Sequence, residues 1–184
     1  GLTGLDFIFL IIGKMPVFDA VCTAFGTAGT GGFGIKGDSM AGYSPYIQNV
    51  CTIFMLLFGV NFSCYYLVLL RRFKSIIEDS ELRTYVAIIL SSVALITINI
   101  SGMFSSVRQA LHHAAFTVSS IITTTGFAIE DFNMWPNFSK TIILMLMFVG
   151  ACGGSTGGGL KCGRLLIILK SVKRNIRKTL NPRK

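Results

Sequence analysis

TTTGF, Thr123 to Phe127, has an echo in TGGF, Thr30 to Phe33. Shifting the chain by 94 residues lays Ala20 on Ala114, Thr23 on Thr117, Thr30 on Thr124, Gly32 on Gly126, Phe33 on Phe127 and Ile35 on Ile129. A recurrence of this kind within a short window marks an internal repeat. Each copy follows a short helical pattern rich in small residues, leads into acidic turn formers, and lies between two apolar helices. The predicted fold is therefore an all-α integral membrane protein built from repeated helix, re-entrant pore hairpin, helix units, as in an ion pore.

The composition agrees with that class. Of 184 residues, 52% are hydrophobic and 14% charged, and the mean hydropathy of +0.65 is too high for an ordinary soluble domain. The net charge of +9 does not point to nucleic acid, because the basic residues are not interleaved with an aromatic surface. They collect at the ends of apolar segments, which is the positive-inside pattern of cytoplasmic loops. Cys22, Cys51, Cys64, Cys152 and Cys162 form no CxxC pair and are expected to be reduced and packed as small hydrophobes.

Outward from the two motifs, Leu5 to Gly13 is apolar but short of the roughly 20 residues a crossing takes. It reads as the last turns of a helix, in a chain that starts partway through a longer protein. Val17 to Thr27 predicts a short helix before the glycines of 28–34. Tyr46 to Leu70 predicts one continuous spanning helix of roughly 37 Å, closed on the cytoplasmic side by Arg71, Arg72 and Lys74. Glu78, Asp79 and Glu81 read as a solvated connection. Thr84 to Met103 predicts a second span, with Asn99 and Ser101 placed to bond a neighbouring helix. Arg108 to Ile121 predicts a helix of about 20 Å, too short to cross. His112 and His113 are adjacent, diverge on a helix and make a poor metal pair. Trp135 predicts an interfacial anchor.

Phe138 to Ala151 predicts a helix that breaks at GGSTGGG, Gly153 to Gly159, and resumes over Leu160 to Val172. Five glycines in seven residues exclude a continuous helix. Irregular backbone at membrane depth survives only inside protein or beside a water-filled cavity. The GGSTGGGLK run is not a phosphate-binding loop, because the GxxxxGK[ST] spacing and the preceding strand are both missing.

Gly29, Thr30, Gly31 and Gly32, with Thr123, Thr124, Thr125 and Gly126, have the chemistry of a cation selectivity filter. Backbone carbonyls replace a hydration shell without adding a trapping charge. Glycine permits the φ values that aim them, and threonine adds a hydroxyl acceptor. The negative ends of the short helices favour a cation. Phe33 and Phe127 are expected to wedge the loops against neighbouring helices. Gly153, Gly154, Ser155, Thr156, Gly157, Gly158, Gly159 and Lys161 are the expected gate, a mobile loop below the filter. No catalytic triad, carboxylate pair or dinucleotide fingerprint is present in the sequence, so an enzyme is not expected.

FDAVCTAFGTAGTGGFGI, SPYIQNVCTIFMLLFGVNF, SSIITTTGFAIEDFNMWP and MFVGACGGSTGGGLKCGR resemble the TrkH/TrkG/KtrB family of bacterial potassium-uptake subunits over nearly the whole chain. The resemblance implies one potassium-channel-like pore of four repeats, with K⁺ as the ion carried. It places 1–74 in the second repeat with its first helix truncated, 75–81 in a cytoplasmic linker, 82–178 in the third repeat with the intramembrane gating loop, and 179–184 in a basic cytoplasmic tail. It further implies the remaining repeats of the same protein, membrane lipid, a homodimer mate and a soluble nucleotide-binding regulatory subunit of the TrkA/KtrA type as partners. Nucleic acid is not among them. No cofactor is expected in this chain, and nucleotide only on the regulatory subunit. The expected location is the bacterial cell membrane, filter loops outward and basic helix ends inward. One departure is that TGGF stands where the family pattern has TTGF, leaving one hydroxyl fewer. Alternatives of the same sequence are a sodium-coupled or sodium-permeable transporter of this fold, or a non-conducting scaffold fragment.

Overall fold

The computed structural model describes residues 1–180; most of the tail expected at 179–184 lies outside the described residues. The elements are α1 (Leu2–Ile12), α2 (Val17–Ala28), α3 (Pro45–Phe58), α4 (Phe62–Leu69), α5 (Phe73–Ile77), α6 (Ser80–Ile100), α7 (Val107–Ile122), α8 (Asn137–Phe148) and α9 (Cys162–Leu180). Among the described residues the only β pairing is an isolated bridge between Val149 and Leu160.

Local chemistry sets the helix starts. Ser44 accepts the Ile47 N–H, with Pro45 at the first helical position of α3, where a missing N–H costs nothing. Asp79 Oδ1 accepts the Glu81 N–H at 2.8 Å to start α6, and Ser106 caps α7. Each cap satisfies one of the backbone donors a helix start leaves unpaired.

Two cores result. In the first, α1, α2 and α3 meet through Leu10, Ala20, Ala24, Ile47, Cys51 and Met55. In the second, α6, α7 and α8 meet through Ile96, Ile100, Ala110, Ala114, Val118, Ile143 and Leu146. Alanines spaced one turn apart on α2 and on α7 let the neighbouring backbones approach closely. Phe116 and Phe127 cross from the second half into the first core, so the halves share one interior. His112 on α7 adds a polar join: its Nε2 lies 2.7 Å from Gln48 Oε1 and its Nδ1 2.9 Å from Asn49 Oδ1. Gln48 is itself held by its Nε2, which donates to the carbonyls of Met40 and Tyr43. Asn99 Oδ1 accepts the Ser139 hydroxyl at 2.7 Å and ties α6 to α8, as expected, whereas the Ser101 hydroxyl donates back to Ile98 O at the end of α6. The outward faces are apolar as well: Leu5, Ile8, Ile12, Leu90, Ile98, Leu144 and Phe148 are exposed.

Two expectations are corrected. Residues 46–70 do not form one helix; α3 and α4 meet at 90° across the break at 59–61. Gly59 ends α3, and Asn61 Oδ1 accepts the Ser63 N–H to start α4. Trp135 is not an interfacial anchor, for it is 2% exposed and packed in the second core. Ser80–Met103 is the one unbroken segment among the described residues that is long and apolar enough to cross a membrane. All five cysteines are free, and four of them are buried.

The break at Gly59 is tightly built. A methyl group there would come within 2.2 Å of Tyr85 Oη and 2.9 Å of Thr123 Cγ2, and that phenol donates to the Leu56 carbonyl. Gly59→Val is therefore expected to cost about 1–3 kcal/mol, read as a lowered midpoint of thermal unfolding in detergent. Gly37→Ala, with nothing within 4 Å, is expected to stay within about 0.5 kcal/mol of the native protein.

Candidate functional site

The two threonine-glycine segments sit at the C-terminal ends of α2 and α7 and leave them in the same way. Gly29, Thr30 and Gly31 donate their N–H groups to the carbonyls of Phe25, Thr27 and Gly26; Thr123, Thr124 and Thr125 donate to Ser119, Ile121 and Ser120. Each bond in one set corresponds to one in the other, 94 residues on. The backbone agrees too: φ is 51° at Thr30 and 57° at Thr124, then 65° at Gly32 and 89° at Gly126. A left-handed β-branched residue is strained by about 1–3 kcal/mol. In both loops the threonine hydroxyl donates to the preceding carbonyl, Gly29 O at 2.8 Å and Thr123 O at 2.7 Å.

The loops lie side by side. A Cβ on Gly32 would come within 1.9 Å of Thr125 O, so only glycine admits the neighbouring strand of backbone there. Beyond the loops, Met40 N–H donates to Ala128 O at 2.9 Å, while Ala128 N–H donates to Ser39 Oγ at 3.2 Å. The support behind each loop differs. Thr123 Oγ1 donates to Ser119 O at 2.7 Å and lies 2.8 Å from Thr125 Oγ1, and Ser120 Oγ donates to Phe127 O at 2.6 Å. The positions matching Ser120, Thr123 and Thr125 are Gly26, Gly29 and Gly31, so the first loop has no such hydroxyl chain. Phe127 is 3% exposed, with its ring over Gly26 of α2. Phe33 is 84% exposed, so of the two expected wedges only Phe127 is seated within this chain.

The glycine-rich segment between α8 and α9 is a closed loop over 149–161. Its neck is fastened by Gly150 N–H to Leu160 O at 2.9 Å and Leu160 N–H to Phe148 O at 3.1 Å. Positive φ at Gly154 and Gly159 turns the chain back on itself, and Lys161 Nζ donates across the loop to Gly157 O. The tip reaches both threonine-glycine segments. Gly158 N–H donates to Thr124 Oγ1 at 2.6 Å, and Thr156 O lies 3.3 Å from Thr30 Oγ1. Gly157 faces Thr123 O closely enough that a Cβ would lie 3.0 Å from it.

Two contributors were not recognised in the sequence. Glu81, read above as part of a solvated connection, accepts the N–H groups of Gly153 at 2.7 Å and Gly163 at 2.8 Å on a single carboxylate oxygen. The available signal was its place in the first turn of a capped apolar helix, inside the helix rather than in the connection before it. The break at 59–61 is the other contributor: Cys152 N–H donates to Gly59 O and Phe62 N–H to Gly154 O, both at 3.1 Å. Arg164 lies in the first turn of α9, and His113 is 3.1 Å from Glu130 Oε2.

The chain matches the family model TrkH, described as a cation transport protein, over residues 9–184. It is 35% identical over 173 residues to the Trk system potassium uptake protein TrkH of Salmonella typhimurium, covering 91% of this chain and 36% of that protein. To the Trk system potassium uptake protein TrkG of Escherichia coli K12 it is 34% identical over 173 residues, covering 92% and 36%. The crystal structure of the potassium transporter TrkH from Vibrio parahaemolyticus superposes with a TM-score of 0.93 at 28% identity, covering all of this chain and 40% of that one. The chain thus spans little more than a third of the length of the curated relatives it matches.

Removing the Glu81 carboxylate leaves the N–H of Gly153 in the loop and that of Gly163 in the first turn of α9 without this acceptor. Hydrogen bonds to a charged group contribute about 1.5–3 kcal/mol. Glu81→Ala is expected to speed hydrogen exchange at the amides of Gly153 and Gly163 by on the order of tenfold or more, with exchange at mid-α6 amides such as Ile89 unchanged.

Proposed function

This chain belongs to the TrkH family of cation transport proteins, and we propose that it supplies two adjoining quarters of a gated K⁺-uptake pore in a bacterial membrane. Residues 1–74 form one helix, pore hairpin, helix unit, 75–81 link it on the cytoplasmic side, and 82–178 form the next unit with the gate; 179–184 continue as a basic tail. The apolar outward faces of α1, α6 and α8 support immersion in lipid, since a soluble protein does not expose so many large apolar side chains together.

The filter is formed by the backbone of Gly29, Thr30, Gly31 and Gly32 and of Thr123, Thr124, Thr125 and Gly126. The C-terminal ends of α2 and α7 point at it, and their partial negative charge stabilises a cation that has shed water. Gly153, Gly154, Ser155, Thr156, Gly157, Gly158 and Gly159, with Lys161, form the gate. The observation that carries this reading is the contact of the loop tip with Thr30 and Thr124, matching positions of the two halves. A segment that touches equivalent points of two repeats stands on the axis they share, where it blocks whatever passes between them. Uptake then requires the loop to leave those threonines.

Two free edges support further repeats beside this pair. Phe127 rests on the glycine of the preceding half, whereas Phe33 is 84% exposed and has no such partner among the described residues. Gly32 is pressed against the next loop, whereas Gly126 has nothing within 4 Å where a following loop would lie. The partners of this reading are the other repeats of the same protein, a homodimer mate, and a soluble nucleotide-binding regulatory subunit on the cytoplasmic side. K⁺ is the cargo, and the filter loops face outward.

The test is K⁺ uptake by the full-length protein in cells lacking their own uptake systems, native against Gly126→Ser. Gly126 has φ 89°, where a side chain is strained. Uptake or its preference for K⁺ over Na⁺ is expected to be lost with the protein still in the membrane. Unchanged uptake and selectivity would remove 123–126 from the ion path.

A further inference from the structure

The hydroxyls of Thr30 and Thr124 have the look of extra cation ligands, but their hydrogen bonds point elsewhere. Thr124 Oγ1 gives its only proton to Thr123 O at 2.7 Å and receives the Gly158 N–H at 2.6 Å. A hydroxyl has one donor and two acceptor positions. Here the donor is committed to the filter backbone and the acceptor side faces the loop. A cation bound at this oxygen would meet the positive end of the Gly158 N–H dipole. The Thr30 hydroxyl is nearer its own chain, 2.8 Å from Gly29 O, and reaches Thr156 O only at 3.3 Å. One proton shared between two carbonyls makes this the weaker of the two contacts.

The loop is held at two levels. Its feet are fixed by the Glu81 carboxylate and by the Phe62 N–H to Gly154 O bond. Its tip is held by the threonines, with Thr156 Oγ1 adding only a long contact of 3.4 Å to Phe58 O. Anchored feet let the tip swing without releasing the segment, so the tip contacts are the ones that opening must break.

We propose that Thr124, seconded by Thr30, is the latch of the gate: its hydroxyl is a positioning group for the loop tip and not a ligand for the ion. The latch rests on the pore reading given above. It separates two roles within one residue, the Thr124 backbone serving the filter and its side chain the closed state. The Thr124 hydroxyl also links the filter backbone directly to the gate, through Thr123 O on one side and Gly158 N–H on the other.

The experiment is rubidium flux by the full-length protein in liposomes without a regulatory subunit, for native, Thr124→Val, Thr124→Ser and Thr30→Val proteins. Valine keeps the β-branched shape and puts a methyl group in place of the hydroxyl, which removes the bonds to Thr123 O and from the Gly158 N–H. The latch requires Thr124→Val to raise the maximal rate several-fold with the half-saturating cation concentration within about twofold of native, converting a lost bond of about 1 kcal/mol into its rate factor. Thr124→Ser, which keeps the hydroxyl, must give a maximal rate well below that of Thr124→Val, and Thr30→Val must rise by a smaller factor than Thr124→Val. A raised half-saturating concentration without a raised maximal rate makes the hydroxyl an ion ligand and overturns the proposal. So does unchanged flux, or a serine variant that behaves like valine. Should Thr124→Val not reach the membrane, Thr30→Val decides alone: a raised maximal rate supports the latch and an unchanged one overturns it. The Gly126→Ser protein run beside them separates the two levels. If it transports like native, the pore reading fails; if it does not and Thr124→Val is unaltered, only the latch fails.

Discussion

Backbone N–H and C=O groups outside a helix must find partners wherever water is excluded, and the loop over 149–161 carries a long run of them. The rest of the structure is arranged to meet that demand. The break between α3 and α4 frees Gly59 O and the Phe62 N–H, and these pair with the Cys152 N–H and Gly154 O. Two interrupted helices thus satisfy one another, and neither interruption would be tolerable alone. The carboxylate of Glu81 takes two further donors, and the neck closes on itself through Gly150 and Leu160. What remains unpaired at the tip is directed at the threonines of the two repeats.

The repeats are alike in backbone and unlike in support. Their loops leave α2 and α7 with the same hydrogen bonds and the same left-handed residues, because both depend on a Thr-x-Gly spacing that ends a helix and turns it. Behind that shared geometry, the second loop is braced by the side chains of Ser120, Thr123 and Thr125, where the first has Gly26, Gly29 and Gly31. The better braced loop is also the one that takes the shorter bond from the glycine segment. The denser side-chain bracing therefore stands behind the segment that the loop tip approaches more closely.

The apolar sequence serves two surfaces here. Small residues such as Ala20, Ala24, Ala110 and Ala114 face inward, where backbones must come close, and large ones such as Ile8, Ile98 and Phe148 face outward. This inverts the usual reading of a large apolar side chain as core, and follows from burying helices against one another while their outer faces remain in apolar surroundings.

Much of this was legible in the residues. The 94-residue recurrence, the two short helices, the ends of α2 and α7 at glycine and threonine, and the glycine-rich interruption all follow from local rules: glycine cannot hold a helix, and repeats in sequence become repeats in structure. Three features were decided only by the tertiary structure. The break at 59–61 reads as continuous because one glycine and one asparagine are tolerated inside an apolar helix; it opens because Gly59 and Phe62 have partners across the interior that a helix would withhold. Glu81 reads as solvent-facing because a carboxylate near a cap ordinarily is; its true setting depends on two N–H groups 72 and 82 residues away. Trp135 reads as an anchor because tryptophan favours interfaces, yet the packing of α6, α7 and α8 encloses it. Local sequence determines where the backbone turns, and only the assembled chain determines which distant groups satisfy the turns.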